Sequence, residues 1–149
     1  MSTIYIAAEK FIYWNGLGEL DVDASLIDAI ASSDKIDRKV VYFAPNRFGF
    51  WYDDMRDVED AWDYLNSVLR RAGFKADEVI LFQHEVEKER FSNKDSEIFV
   101  LSSDPRDESI ASALNARKLS EIPYAWSGFW RRLDIRRGFR ALFAALSAS

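Results

Sequence analysis

Short apolar runs recur along this chain and alternate with longer stretches in which apolar residues return every three or four positions. The first run is Thr3–Ala8, followed by Lys39–Ala44, Val79–Phe82, Ile98–Leu101 and Ile122–Trp126. Each is long enough for a strand buried on both faces, and such strands read as near-continuous apolar runs in parallel sheets. Phe11–Trp14 either prolongs the first strand or folds back as a second short one, before a turn at Asn15-Gly16-Leu17-Gly18.

Helical spacing fills the gaps. Asp23 or Ser25 can cap a helix that puts Leu26, Ile27 and Ile30 on one face. The clearest helix spans about 53–72, with Met55, Val58, Trp62, Leu65 and Leu69 in register and Gly73 at its end. His84–Asp95 is charged and is expected to be a surface connection. The fourth run stops at Ser102-Ser103-Asp104-Pro105-Arg106-Asp107-Glu108. There either serine can cap a helix over 107–118, with Pro105 and the acidic residues in its first turn. A last helix is expected over 128–146. Strands alternating with helices predict a three-layer, doubly wound α/β domain, with a mainly parallel five-stranded sheet, across residues 1–149.

Composition narrows the chemistry. The chain has 149 residues, 48% hydrophobic and 15% aromatic, with no cysteine and one histidine. Disulfide frameworks, thiolate metal sites and multi-histidine clusters are excluded. The missing cysteines suit a reducing compartment, and a cytoplasmic location is expected. No apolar run approaches the roughly 18 residues of a membrane span, and no secretion signal is read at the N-terminus. The net charge of −5 is uneven. Five arginines (131, 132, 136, 137, 140) against Asp134 make residues 129–149 net +4, which leaves −9 on the rest. The acidic body argues against broad nucleic-acid binding there. The basic segment reads chiefly as an amphipathic helix packed on the sheet through Phe129, Leu133, Phe139, Leu142, Phe143 and Leu146. A nucleic acid, membrane surface or partner protein is its alternative target.

The order of elements resembles the haloacid-dehalogenase (HAD-like) phosphatase superfamily over nearly the whole chain. Ile4–Glu9 (IYIAAE) matches that family's first motif, Val40–Pro45 (VVYFAP) its second, Lys88 or Lys94 its third, and Ser102–Asp107 (SSDPRD) its fourth. On that resemblance the nucleophilic aspartate falls on Ala7 and the general acid/base on Glu9. The motif glycine falls on Lys10, and the phosphate-holding hydroxyl on Ala44. The acidic pair falls within Ser102-Ser103-Asp104. The family's chemistry needs a carboxylate nucleophile and Mg²⁺, and an alanine methyl supplies neither. Val100–Asp104 (VLSSD) is also similar to a turn of the PIN/NYN-like ribonucleases, whose first-strand aspartate falls on Ala7 or Ala8.

Two functions follow as expectations. One is a non-catalytic, HAD-like interaction or regulatory domain that binds a protein partner through an acidic rim and the aromatic loop of Phe48, Phe50, Trp51 and Tyr52. That loop reads equally well as a lid of core side chains. The other is a divergent Mg²⁺-dependent hydrolase of phosphate esters or nucleic acid. Glu9 and Asp104 are then its catalytic residues, and Glu9, Asp104 and Asp107 its metal ligands. Against it, Asp104 and Asp107 can simply cap their helix, with Glu9 in water. Arg47 and Lys94 are the anion-binding candidates, although Arg47 also suits a cation–π role among the loop aromatics, and Lys94 a solvated one. His84, without a visible partner, reads as a surface residue before a general base.

Overall fold

Five parallel strands form the central sheet in the computed structural model, which describes residues 1–44, 47, 55–80, 82–123 and 126, with the side chains of 55–58, 61 and 62 left aside. The strands are β1 (Ser2–Ala7), β4 (Arg38–Tyr42), β5 (Glu78–Ile80), β6 (Glu97–Leu101) and β7 (Arg117–Leu119). Their order is β5-β4-β1-β6-β7, so the chain begins at the centre, steps to one edge and returns to build the other half. Every neighbouring pair is parallel. The expected doubly wound architecture is therefore present.

Strand β1 is buried at all six positions, as its central place requires. Its side chains alternate between two cores. Ile4 and Ile6 join Val41, Phe99 and Leu101 on the face covered by α1 (Ala24–Ala31) and α2 (Met55–Arg71), which contribute Ile27, Ile30, Leu65 and Leu69. Tyr5 and Ala7 join Val40, Tyr42 and Val100 on the other face, against Val86, Ile110 and Leu114. Leu114 and Ile110 belong to α3 (Glu108–Leu114), and Val86 to a nine-residue 3-10 helix, Gln83–Phe91. The surface connection expected over 84–95 is thus partly helical, because fully buried Val86 pins it to the sheet.

Between β1 and α1 the chain inserts a one-turn 3-10 helix (Ala8–Lys10) and an antiparallel hairpin of β2 (Ile12–Trp14) and β3 (Leu20–Val22). The hairpin tip is the expected turn. Asn15 Oδ1 accepts the N–H groups of Leu17 and Glu19, and Gly18 supplies a φ of 74°. Asp23 caps α1, accepting from the N–H groups of Ser25 and Leu26.

The helix after β6 is shorter than the expected 107–118. Asn115 takes the left-handed conformation (φ 52°, ψ 43°), the Ala116 N–H bonds back to Ala111 O at 2.8 Å, and the helix closes. The chain then becomes extended at once. The fifth sheet strand is Arg117–Leu119, not Ile122–Trp126: as an edge strand it hides its pattern behind two basic residues. Ile122 and Trp126 instead pack on the core, Trp126 edge-on to Phe99 with ring centroids 4.5 Å apart. Neither Ser102 nor Ser103 caps this helical segment. The Asp104 side chain does, accepting from the Arg106 N–H. The helix expected over 128–146 lies outside the described residues, among which no helix is long and apolar enough to cross a membrane.

Candidate functional site

The carboxyl ends of β1, β4 and β6 meet where the strand order reverses, the place at which open α/β sheets form a crevice. Each strand delivers polar groups there. Past β1, the 3-10 turn carries Glu9 and Lys10. The last residue of β4 is Tyr42, and Arg47 follows five residues on, its N–H bonded to Ala44 O at 2.9 Å. Past β6 come Ser102 and the turn bearing Asp104 and Asp107, with Pro105 at its first position.

Arg47 is the hub. Its guanidinium forks onto Asp107, Nη2 donating to Oδ1 at 2.6 Å and Nη1 to Oδ2 at 2.9 Å. Nη1 also donates to Glu9 Oε1 at 2.6 Å, and Nε lies 3.2 Å from Asp104 Oδ2. The three carboxylates singled out in the sequence therefore do converge, and they converge on an arginine. The Arg47 side chain is 7% exposed and that of Asp107 1%, so this is a buried pair in the bidentate geometry that makes Arg–carboxylate contacts strong.

Asp107 gathers further donors. Tyr42 Oη donates to its Oδ2 at 2.7 Å and Ser102 Oγ at 2.5 Å. Burial alone would raise its carboxyl, but the bonds from Arg47, Ser102 and Tyr42 outweigh burial and hold it below the usual carboxylate range. Tyr42 is pushed well above the ordinary phenol value, first by burial and then by the Asp107 charge. Its proton stays in place as a donor. The hydrogen bonds it donates to Asp107 keep the Arg47 guanidinium firmly charged. Asp104 is held far below its ordinary value by the Arg106 side chain and N–H, with Arg47 adding to the effect.

Asp107 makes no capping bond, so the view of it as a cap residue is corrected: it is the acceptor around which the site is built. The carboxylates are the described partners of Arg47, and the loop aromatics invoked for a cation–π role lie outside the described residues. Tyr42 was missed in the sequence, and Ser102 was read there as a cap or as standing in the acidic-pair position, not as a donor to Asp107. A signal existed for Tyr42: in the Lys39–Ala44 run the period of two puts it on one face with Val40, at the strand's polar end. Ala7 and Ala44 are fully buried apolar residues, so no hydroxyl or carboxylate is presented from these two positions.

The remaining candidates fall apart from this cluster. Lys94 is exposed and precedes β6, so the length of that strand, roughly 16 Å, separates it from the carboxyl edge. Lys94 therefore does not share an anion site with Arg47. Lys88 lies exposed on the 3-10 helix. His84 is exposed and stacks on Phe82 at 5.6 Å between ring centroids. It borders a small cavity of about 190 Å³ that also touches Arg47, Arg106 and Asp107. Phe48, Phe50, Trp51 and Tyr52 lie outside the described residues.

The HAD-like resemblance implies Mg²⁺ at this edge. Three carboxylates are the right donors for it. The space between them, however, is spanned by the Arg47 guanidinium, at 2.6 Å from Glu9, 3.2 Å from Asp104 and 2.6 Å from Asp107. An arginine does not leave by losing its proton. The residues present thus do not fit the ion while Arg47 holds its place, and no step is derived through one. What the arrangement does is tie three strand ends together by charge. Among the described residues, Glu9 Oε2 is the carboxylate oxygen of this site that is buried without a hydrogen-bond partner. No family model, curated protein or solved structure matches the chain.

Proposed function

We propose that this chain is a non-catalytic α/β domain of the HAD-like type, which acts by binding a protein partner at the carboxyl edge of its sheet. One observation carries the reading: a permanent, internal cation spans the three carboxylates that a hydrolase of this design would use for its ion. The methyl group of Ala7 where attack on phosphorus needs a carboxylate supports it further. The partner contact is assigned to the acidic rim and to Phe48, Phe50, Trp51 and Tyr52, which follow Arg47 directly in the chain. A cysteine-free chain suits a cytoplasmic setting for this role.

The test is a hydrolysis assay with an aryl phosphate and with RNA and DNA oligomers, in Mg²⁺ and then in Mn²⁺. The expected result is turnover no greater than in buffer. Turnover that disappears in Glu9→Gln and in Asp104→Asn would overturn the reading.

A further inference from the structure

We propose that the β2–β3 hairpin is an interaction surface for an arginine- or lysine-rich segment of a partner protein. The hairpin lies outside the Arg47 cluster, and its partner contact is separate from the one assigned to the carboxyl edge.

Charge is the first argument. The hairpin, residues 12–22, holds two carboxylates, Glu19 and Asp21, and no lysine or arginine, and Asp23 follows it directly. All three are exposed. A phosphate-bearing partner is repelled by such a surface, and a cationic one is steered to it.

Shape is the second. Tyr13, Trp14 and Leu17 are 48%, 47% and 84% exposed, three large apolar side chains on one short hairpin. Exposed large aromatic side chains are enriched at interfaces. The pairing register decides which face each takes. Ile12 opposite Val22 and Trp14 opposite Leu20 lie on the face turned to the core, where Ile12 is 1% exposed. Tyr13 opposite Asp21 lies on the outward face. An aromatic ring and a carboxylate are thus presented side by side to solvent. A guanidinium stacks on such a ring while it pairs with the acid, and an ammonium does the same less specifically.

A groove of about 630 Å³ runs from β3 to α2 and continues the surface. Leu20 and Val22 line it, Tyr64 stands 42% exposed on its α2 side, and Glu19 and Asp21 supply acid. Arg71 is the cation among its described lining residues, and its Nε is turned back to Ser67 O at 3.4 Å. An extended basic segment therefore finds apolar side chains, Tyr64 and carboxylates along the groove, with Tyr13 beside Asp21 on the outward face of the hairpin. The tip is already fixed by the Asn15 bonds to Leu17 and Glu19, so little ordering is lost on binding.

The experiment titrates the full chain into fluorescently labelled synthetic peptides, one arginine-rich, one lysine-rich and one glutamate-rich, with anisotropy as the readout. The expected result is saturable binding of the basic peptides, tighter for arginine, and none of the acidic one. Tyr13→Ala with Asp21→Asn should weaken binding about tenfold at unchanged thermal stability, since both side chains are exposed. Glu19→Lys with Asp21→Lys should abolish it. Absence of saturable binding, equal binding of the acidic peptide, or affinity unchanged in both variants would overturn the proposal. Hydrolysis in the assay above would overturn the non-catalytic reading and leave this result standing.

Discussion

Replacing Arg47 with methionine is expected to lower the free energy of unfolding at neutral pH by about 3–5 kcal/mol, the usual cost of removing one partner from a buried ion pair. The loss is not in the packing, since methionine fills much of the same volume. It arises because Glu9, Asp104 and Asp107 are left facing one another, with Asp107 1% exposed and without its fork. Lysine at position 47 should recover part of the loss, because an ammonium supplies charge but cannot serve both Asp107 oxygens in one plane. Urea unfolding of the three proteins measures this directly.

The pH dependence gives the same prediction a sign. In the native chain Asp107 and Asp104 titrate below their ordinary value. A depressed carboxyl contributes stability above the unfolded-state value, near 3.9, and loses it as pH falls through the folded one. Native stability should therefore be flat from neutrality down to about pH 5 and fall below that. Without Arg47 the buried Asp107 carboxyl loses the foremost of the bonds that offset its burial, and its value rises above that of the unfolded chain, while Asp104 keeps Arg106. Stability is then present at low pH and lost as pH rises. Between pH 7 and about pH 5 the Arg47→Met variant should gain stability on acidification, where the native protein does not. Equal slopes would remove the account of the cluster as a charge-balanced unit.

Asp107→Asn is the second large effect, again about 3–5 kcal/mol. Four donors aim at this carboxylate: two from Arg47, one from Tyr42 and one from Ser102. An asparagine offers a single oxygen. Whichever way its amide is turned, its NH₂ meets a donor, and the Arg47 charge keeps only its outer partners. Joining the changes tests the pair: Arg47→Met with Asp107→Leu should cost clearly less than the two single changes added together. No buried charge is then left alone, and an apolar pair can replace a buried ionic one at little cost. Additive losses would show the two residues acting independently.

These effects were only partly legible in the chain itself. Strands β1, β4 and β6 stand out because burial on both faces forces continuous apolar runs, and the α1 cap and the Gly73 stop are local chemistry. Strands β3 and β7 do not stand out. Each has three residues and one solvent-facing side, which is too short for alternation to register. The acidic trio was legible because its members sit directly after apolar strands. The partner of that trio was not, because nothing local to Arg47 says which of several charged turns its side chain reaches. That depends on strand order, which brings the ends of β1, β4 and β6 together. Ser102 was read as a helix cap for the same reason. Its hydroxyl serves both uses, donating to Asp107 and accepting the Asp104 N–H at 3.1 Å, while Asp104 is the residue that caps the turn.

The most direct test of the central claim, that Arg47 takes the place of a bound ion at the carboxyl edge, is thermal unfolding in millimolar Mg²⁺, for the native chain and for Arg47→Met. Ligand that binds the folded state raises the melting temperature by mass action. The account predicts no shift for the native chain and an upward shift for the variant that Asp107→Asn abolishes. An upward shift in the native chain, lost on Asp107→Asn, would contradict it.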